Sequence, residues 1–195
     1  MVSRVESAAA TRRALLDAAR ELLNEGGPQR VTLREVGARA DVSRGAPYRH
    51  FADKESLLAA VGAESWDRIA AELAELRPGS GVSDDAELLR AALSALMTVG
   101  REEPEVYRMM FTMPIRDPEI AVEAAARAQN EFLRIVAHLV GDEDAHLYGA
   151  MLLTSAHGVA SMAASGHLSS QMWLTTPAEV VAALVELIAH RGAAR

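Results

Sequence analysis

The sequence predicts an all-α protein, and three observations lead to this prediction. Half of the residues are hydrophobic, but only 4% are aromatic. The core must therefore be built from Ala, Leu, Val and Met, which are mostly helix formers, while the β-enriched aromatic residues are scarce. Apolar residues also recur at helical spacing along almost the entire chain. We expect about nine helices, in an N-terminal three-helix part joined by a long helix to a larger C-terminal part.

Four helices are predicted in the N-terminal half. The first runs from about residue 7 to residue 24, where Gly26-Gly27-Pro28 supplies a left-handed cap and a residue that cannot continue the helix. Thr32 and Ser43 can cap two short helices, and Asp53 can cap a long fourth helix that extends to about residue 76. The residues expected to face the core are Leu15, Ala18, Ala19, Leu22, Leu33, Val36, Gly37 and Ala40.

The C-terminal part follows a break at Arg77-Pro78-Gly79-Ser80-Gly81. A fifth helix comes first, then a sixth from Pro104 and a seventh from Pro118 to about residue 140. An eighth helix covers about residues 142–165, and a last one begins at Pro177 after a loop over residues 166–176. The inward residues are expected to be Leu88, Leu89, Ala92, Leu96 and Val99 in the fifth helix, and Ile120, Ala124, Ala128, Phe132, Ile135 and Leu139 in the seventh.

Composition and charge narrow the class of protein. The chain has no cysteine, which excludes disulfides and thiolate metal sites, and no apolar run long enough to span a membrane. The N-terminus lacks the apolar stretch of a secretory signal, so we expect a cytoplasmic protein. The net charge is −7, yet residues 1–54 hold ten Lys and Arg against seven Asp and Glu, and the remainder holds ten against twenty. A basic head on an acidic body suits a protein that docks one end on phosphates, although chance can also produce such a split.

The window from residue 31 to residue 54 has the pattern of a helix-turn-helix. Two short helices must cross closely, and Gly37 provides the small residue that this contact needs. The turn between them needs a residue that tolerates a positive φ, and Asp41 is acceptable there after Gly. The second helix carries Arg44 and Arg49 near its exposed and N-terminal side, which enters the major groove in such motifs. Arginine is the usual bidentate reader of guanine.

This window, with the long helix after it, resembles the TetR family of bacterial repressors over about residues 9–69. Spacing and residue type agree at Thr32, Val36, Gly37, Ala40, Val42, Ser43, Gly45, Tyr48, His50, Phe51, Lys54, Glu55, Leu57 and Leu58. Two positions depart from the family's pattern. Asp41 stands where the family usually has Gly, and Pro47 stands where it usually has an apolar helix former. Pro47 lies at the edge of the first turn of its helix, where proline is tolerated.

The resemblance implies a DNA-binding transcriptional regulator with its helix-turn-helix domain over residues 9–69. It implies base readers at Arg44, Arg49 and Arg34, with Gly45 against the groove. It also implies phosphate anchors, which would be Thr32, Tyr48, His50 and Lys54. Taken alone, each arginine is equally a solvated surface charge, and Phe51 is expected in the core. The alternative is a ligand-binding or interaction protein that keeps the fold without reading DNA, and the two arginines of the second helix argue against it.

The C-terminal domain is expected over residues 82–191, and the resemblance implies that it binds a small-molecule effector. Methionine and aromatic side chains suit an adaptable apolar pocket, although they equally suit an ordinary core. The candidate ligand contacts are Trp66, Tyr107, Met110, Phe111, His157 and Met162. The spacing of His138, His146 and His157 fits no metal site, so we expect neither metal nor cofactor. No catalytic motif is present, and Ser155 and His157 lie on different helix faces, so we expect no enzyme.

The last two long helices predict a homodimer. The eighth is rich in Gly, Ala and Ser, and the last is apolar around more than half of its circumference, so it should cover a second subunit as well as its own. The candidate interface residues are Tyr148, Val181, Leu184, Val185 and Ile188. A two-fold dimer presents two recognition helices to successive major grooves of near-palindromic duplex DNA. The predicted function is a transcriptional regulator, a repressor by resemblance, that a small apolar or amphipathic ligand releases from its operator.

Overall fold

The computed structural model describes residues 4–76, 84–112 and 118–192. Within these ranges the chain forms ten α-helices and a short 3₁₀ helix, Pro28–Arg30, and no strand, which confirms the predicted all-α fold. The α-helices are α1 (Arg4–Gly26), α2 (Leu33–Arg39), α3 (Ala46–His50), α4 (Lys54–Glu75), α5 (Asp85–Glu102), α6 (Pro104–Met110), α7 (Pro118–Val140), α8 (Asp142–Ala164), α9 (Ser170–Trp173) and α10 (Pro177–Gly192).

The chain divides into two compact units. Unit 1 comprises residues up to 65 together with residues 105–124, and unit 2 comprises residues 66–104 and those from 125 onward. Unit 1 therefore takes in α6, which the sequence pattern groups with the C-terminal part. The physical reason is Val106, which is fully buried in the core of unit 1, with Met109 and Met110 packed against the same core. The predicted break at Arg77-Pro78-Gly79-Ser80-Gly81 lies outside the described residues.

The core of unit 1 is apolar and is formed by α1, α2, α4 and α6. The four residues predicted to line the inner face of α1 are all buried, and so are Leu33, Val36 and Gly37 of α2, while Ala40 is half-buried. Helix α1 ends at Gly26, and Gly27 follows with a φ of 71°, as the predicted left-handed cap requires. The Gly27 amide donates to the carbonyl oxygen of Leu23 at 2.7 Å, so one of the last carbonyls of α1 has a partner.

The close crossing of α2 and α3 depends on Gly37. A Cβ atom at this position would lie only 2.7 Å from Cγ of Pro47, which is too close for a real contact. The turn between the helices contains Asp41 with a φ of 51°, so the predicted left-handed residue is confirmed. Pro47 is buried in the first turn of α3, where its missing N–H leaves no helical hydrogen bond unmade.

Three sequence predictions need correction. Ser43 does not cap α3, because the helix begins at Ala46 with Gly45 in the N-cap position. The amide of Ala46 instead donates to the Ser43 carbonyl oxygen at 2.8 Å, which forms a turn before the helix. Ile120 is 50% exposed rather than inward, because it lies in the first turn of α7, before the buried stripe that begins at Ala124. The segment after α8 also contains a short helix, α9, so the helices exceed the nine that were expected.

Unit 2 is organised around α5, α8 and α10, which pack against one another. Asp84 caps α5 by accepting from the amide of Ala86 at 3.2 Å. The residues predicted to face inward on α5 and α7 are buried, with three exceptions. Ile120 is exposed, as described above, and Val99 and Leu139 are half-buried. A Cβ on Gly149 of α8 would lie 2.5 Å from Cδ2 of Leu133, so the missing side chain leaves the space that the end of Leu133 occupies. Within the described ranges, no helix is both long and apolar enough to cross a membrane.

The Gly37–Pro47 contact generates a stability prediction. Replacing Gly37 with Ala should lower the free energy of unfolding by about 1–3 kcal/mol, because the rigid ring of Pro47 cannot move aside as a flexible side chain can. The loss is expected although Ala is the better helix former. Urea unfolding followed by circular dichroism at 222 nm measures the change.

Gly45 offers the matched control for this substitution. An added Cβ there would meet no atom within 4 Å, and its backbone conformation is ordinary. Gly45→Ala should therefore change the free energy of unfolding by less than about 1 kcal/mol. Equal losses for the two variants would contradict the assignment of the close contact to Gly37.

Candidate nucleic-acid interface and effector cavity

Helix α2 is held at its start by a reciprocal capping arrangement. The Glu35 amide donates to Oγ1 of Thr32 at 3.2 Å, and the Thr32 hydroxyl donates to Oε2 of Glu35 at 2.8 Å. Thr32 therefore caps α2 as predicted, while its side chain remains exposed at the surface. The Glu35 amide, one of the backbone donors that the first turn of a helix leaves unpaired, thereby has a partner.

An ion-pair clamp ties the end of α2 to α1. The guanidinium of Arg39 donates to Glu25 at 2.8 and 3.0 Å and to Glu21 at 3.1 Å. The hydrogen bond from Arg39 holds the pKa of Glu25 below its ordinary value, and the same carboxylates raise the pKa of Arg39. Because all three groups are exposed, solvent screens the clamp, and its role is to fix orientation more than to add stability.

One side of α3 packs into the core of unit 1, so the opposite side of this helix faces solvent. Ala46 and Pro47 are buried, and Phe51, which follows the helix, is only 5% exposed, as predicted for a core residue. The guanidinium of Arg12 lies 5.3 Å from the centre of the Phe51 ring, within the range of a cation–π contact. Tyr48 is 61% exposed, since it points away from this anchored side.

The start of α4 is capped by Asp53 as predicted. The amide of Ser56 donates to Oδ1 of Asp53 at 2.8 Å, and the amide of Asp53 donates to Oγ of Ser56 at 3.1 Å. Lys54 is the first residue of α4 and is half-buried, like His50 at the end of α3. The predicted phosphate anchors therefore lie at three helix ends of the same unit: the start of α2, the end of α3 and the start of α4.

The three predicted base readers are exposed, and they lack partners within the described part of the chain. Arg34, Arg44 and Arg49 donate no hydrogen bond and join no ion pair with the described residues. Several other arginines of the described chain are engaged: Arg20 pairs with Glu64 at 2.6 Å, and Arg134 donates to the carbonyl oxygens of Leu73 and Leu76. Gly45 is also exposed and has open space around it.

The six candidate ligand contacts are divided between the two units. Tyr107, Met110 and Phe111 belong to unit 1, and Trp66, His157 and Met162 belong to unit 2. The rings of Tyr107 and Phe111 pack with their centres 5.0 Å apart. Phe111 and Met162 are 37% and 41% exposed, while Trp66 and Tyr107 are buried, and Met110 and His157 are half-buried.

Unit 2 contains a cavity of about 740 Å³ among α5, α8 and α10. Its lining residues are Arg90, Ser94, Met97, Thr98, Gly100, Arg101, Pro104, Ala160, Ala163, Ala164, Thr176, Pro177, Ala178, Val181 and Ala182. None of the six candidate ligand contacts is among them. The signal that could have indicated this cavity is the stripe of Arg, Ser, Met and Thr at helical spacing on α5. The sequence alone does not show, however, that small residues of α8 and α10 face these residues of α5.

The candidate dimer residues are mostly engaged within their own unit. Val181, Val185 and Ile188 are 4%, 0% and 5% exposed, while Tyr148 and Leu184 are half-buried. Other apolar residues of the same helices remain uncovered, namely Leu147 and Met151 on α8 and Leu187 on α10. Among the described residues, no group of three or more His, Asp or Glu is placed to hold a metal ion.

Two family models match the chain. One is described as bacterial regulatory proteins of the tetR family and matches residues 15–61, and the other, a tetracyclin repressor-like C-terminal domain, matches residues 89–188.

Individual relatives agree with these matches. The HTH-type transcriptional repressor Rv1474c of Mycobacterium tuberculosis is 41% identical over 63 residues, which cover 32% of this chain and 34% of that protein. An uncharacterized HTH-type transcriptional regulator from the dhlA 5' region of Xanthobacter autotrophicus is 35% identical over 95 residues, covering 49% of this chain and 47% of that one. The chain thus aligns with less than half the length of these two relatives.

A solved structure covers much more of the chain. A protein of unknown function from Rhodococcus sp. RHA1 is 26% identical, with a TM-score of 0.78, and the match covers 92% of this chain and 94% of that one. The similarity therefore extends through both units of the fold.

The environment of Tyr107 generates a prediction on ionisation. Burial raises the pKa of Tyr107 from 10.0 to about 12. The stability that this phenol contributes is therefore complete below pH 10 and is lost as the pH rises through about 12. Phenolate absorbance should show a tyrosine in the wild type, absent from Tyr107→Phe, that stays protonated above pH 10 for as long as circular dichroism shows the helices intact. A difference titration with its midpoint at pH 10 would contradict the burial of this phenol.

Proposed function

Because this chain belongs to the TetR family of bacterial regulatory proteins, we propose that it is a sequence-specific DNA-binding transcriptional regulator of the cytoplasm. We propose that it acts as a repressor, that it works as a homodimer without enzymatic activity, and that a small-molecule effector releases it from its operator. Residues 9–69 are the DNA-binding domain in this proposal, and residues 82–191 bind the effector and the second subunit.

The observation that carries the proposal is the set of unpartnered arginines on the exposed side of the helix-turn-helix. Arg34 lies on α2 and Arg49 on α3, two short helices whose opposite sides are buried, and Arg44 lies in the turn just before α3. Their positions are thereby set while their donors stay available. Guanidinium groups in this arrangement match guanine O6 and N7 in a major groove. Tyr48 and Gly45 add an exposed hydroxyl and open space on the same surface.

The alternative function, a ligand-binding or interaction protein without DNA reading, accounts less well for this surface. The net charge of the chain is −7, and its carboxylates engage Arg20, Arg39 and Arg127 by ion pairs. A protein with no polyanionic partner gains nothing from leaving Arg34, Arg44 and Arg49 exposed and unpaired within one helix-turn-helix. A duplex, in contrast, neutralises such cations and releases its counterions, which drives association.

The proposed dimer is supported by the apolar residues that α8 and α10 leave uncovered. Leu147, Met151 and Leu187 are 61%, 46% and 72% exposed in the single chain. Burying them against the same helices of a second copy removes apolar surface from water and builds a four-helix interface. The contact is then made by these residues, since Val181, Val185 and Ile188 already serve the core of unit 2.

The proposed switch depends on α4, one continuous helix of 22 residues with its first part in unit 1 and its end in unit 2. Arg134 of α7 donates to the carbonyl oxygens of Leu73 and Leu76 at 3.2 Å, which ties the end of α4 to unit 2. An effector that reshapes unit 2 thereby tilts α4 and changes the spacing of the two DNA-binding heads. The effector acts only to the extent that it prefers the state that cannot bind the operator.

The DNA-binding proposal predicts the effect of removing Arg44 and Arg49. Each single Ala variant should lose about tenfold or more of its affinity for an operator selected from random duplexes, because one bidentate base contact contributes about 1–3 kcal/mol of discrimination. The double variant should bind the operator no better than a scrambled duplex. Fluorescence anisotropy at two salt concentrations measures these affinities, and the wild-type affinity should fall steeply with salt.

Arg127→Ala is the matched control for this experiment. Its guanidinium pairs with Asp67 in unit 2, so operator affinity should not change. Wild-type affinity in the double variant would refute the base-reader assignment, and a wild-type protein that selects no sequence would favour the alternative function.

The dimer proposal predicts the effect of a charge at Leu187. Because this side chain is 72% exposed in the single chain, Leu187→Glu should leave the fold intact. It should convert a dimer into a monomer at micromolar concentration, since an interface would have to bury the new carboxylate. Sedimentation velocity distinguishes the two states. Ile120→Glu, at another exposed apolar site on α7, should remain dimeric, and a monomeric wild type would rule out the proposed dimer.

A further inference from the structure

Residues over about three turns of α5 line the cavity of unit 2. Arg90, Ser94, Met97, Thr98 and Arg101 all line it, and their spacing of three and four residues places them on one face of this helix. From the first to the last of them the helix rises about 16 Å, or three turns. The volume of about 740 Å³ lies within the range of roughly 300–1,000 Å³ that small-molecule sites occupy.

The walls of the cavity combine apolar surface with positive charge. The residues of α8 and α10 that line it are small or apolar, namely Ala160, Ala163, Ala164, Pro177, Ala178, Val181 and Ala182. Among the described residues, the lining contains two arginines and no carboxylate, although acidic residues outnumber basic ones by 27 to 20 in the chain. Such a composition favours a ligand that has a long apolar body and an anionic group.

Arg90 is the better placed of the two arginines to receive that anionic group. Its side chain is only 33% exposed, and its one ion-pair partner among the described residues, Glu186, lies 3.7 Å away, beyond hydrogen-bond distance. Glu186 is itself 62% exposed, so solvent weakens this pair. Arg101 at the other end of the stripe is 74% exposed and already pairs with Glu102 at 3.0 Å.

We propose that this cavity binds an elongated aliphatic carboxylate, with the carboxylate on the guanidinium of Arg90. The aliphatic chain runs along α5 past Met97, against the alanines of α8 and α10. A charge-assisted, two-pronged contact with a guanidinium selects carboxylates over alcohols of the same length. An ammonium head group is repelled by both arginines. That such a ligand is also the effector rests on the function proposed above, whereas its binding does not.

Isothermal titration calorimetry of the full chain with straight-chain probes tests the proposal. The probes are hexanoate, octanoate, decanoate and dodecanoate, with 1-decanol and decyltrimethylammonium as the neutral and cationic counterparts of decanoate. At least one carboxylate should bind, and decanoate should bind about tenfold or more tightly than decanol. Binding of none of the four carboxylates, or equal affinity for decanoate and decanol, would overturn the proposal.

Two variants assign the binding to the cavity. Arg90→Gln should remove the tenfold preference for decanoate while leaving decanol binding unchanged, and Ala163→Phe should block both probes by filling the space. The controls are Arg127→Gln and Ala126→Phe, which alter exposed positions of α7 outside the cavity. If Arg90→Gln still prefers decanoate over decanol, the assignment of the carboxylate to Arg90 is refuted. This outcome can be measured even if Ala163→Phe fails to fold.

The carboxylate-binding proposal and the proposed regulatory function can each be refuted without the other. Calorimetry contains no DNA, so loss of the DNA-binding proposal would leave the carboxylate result intact. Adding the tightest-binding carboxylate to the operator complex and measuring anisotropy then tests the effector role. Release of the duplex would support that role, and an unchanged operator affinity would refute it while leaving the binding site in place.

Discussion

The close approach of α2 and α3 at Gly37 is the contact on which the position of α3 depends. Without a side chain at Gly37, the ring of Pro47 reaches the backbone of α2, and the two short helices can share one small core. A helix of five residues such as α3 has little stability of its own, so it must be fixed by such packing. The left-handed turn at Asp41 and the buried ring of Phe51 hold its two ends.

The charged residues of the chain serve two different purposes. In the clamp of Arg39 with Glu21 and Glu25, and in the pair of Arg20 with Glu64, opposite charges orient helices within unit 1. Arg34, Arg44 and Arg49, which lie on α2, in the turn before α3 and on α3, are exposed and have no such partner among the described residues. The clamp thus uses its charges within unit 1, while the guanidinium donors of these three arginines remain exposed to solvent.

Small residues give unit 2 both its packing and its empty space. The end of the Leu133 side chain, from α7, occupies the place of the side chain that Gly149 lacks. Farther along α8, three alanines face α5 and α10 without filling the space between them, and a cavity remains. The same choice of small residues therefore makes a close contact at one end of α8 and leaves room for a ligand at the other.

The sequence by itself determined the features that depend on neighbouring residues: the caps at Thr32 and Asp53, the left-handed Asp41, the ends of most helices and the small residue at the α2–α3 crossing. These are local because a cap or a turn is made by atoms a few residues apart. It also carried the motif by which the family could be recognised. Only the tertiary structure decided that α6 joins the core of unit 1, that Val181, Val185 and Ile188 pack inward while Leu187 does not, and where the cavity lies. A helix that is apolar on two sides does not encode which side faces its own unit, since burial is set by the helices that the rest of the chain brings against it.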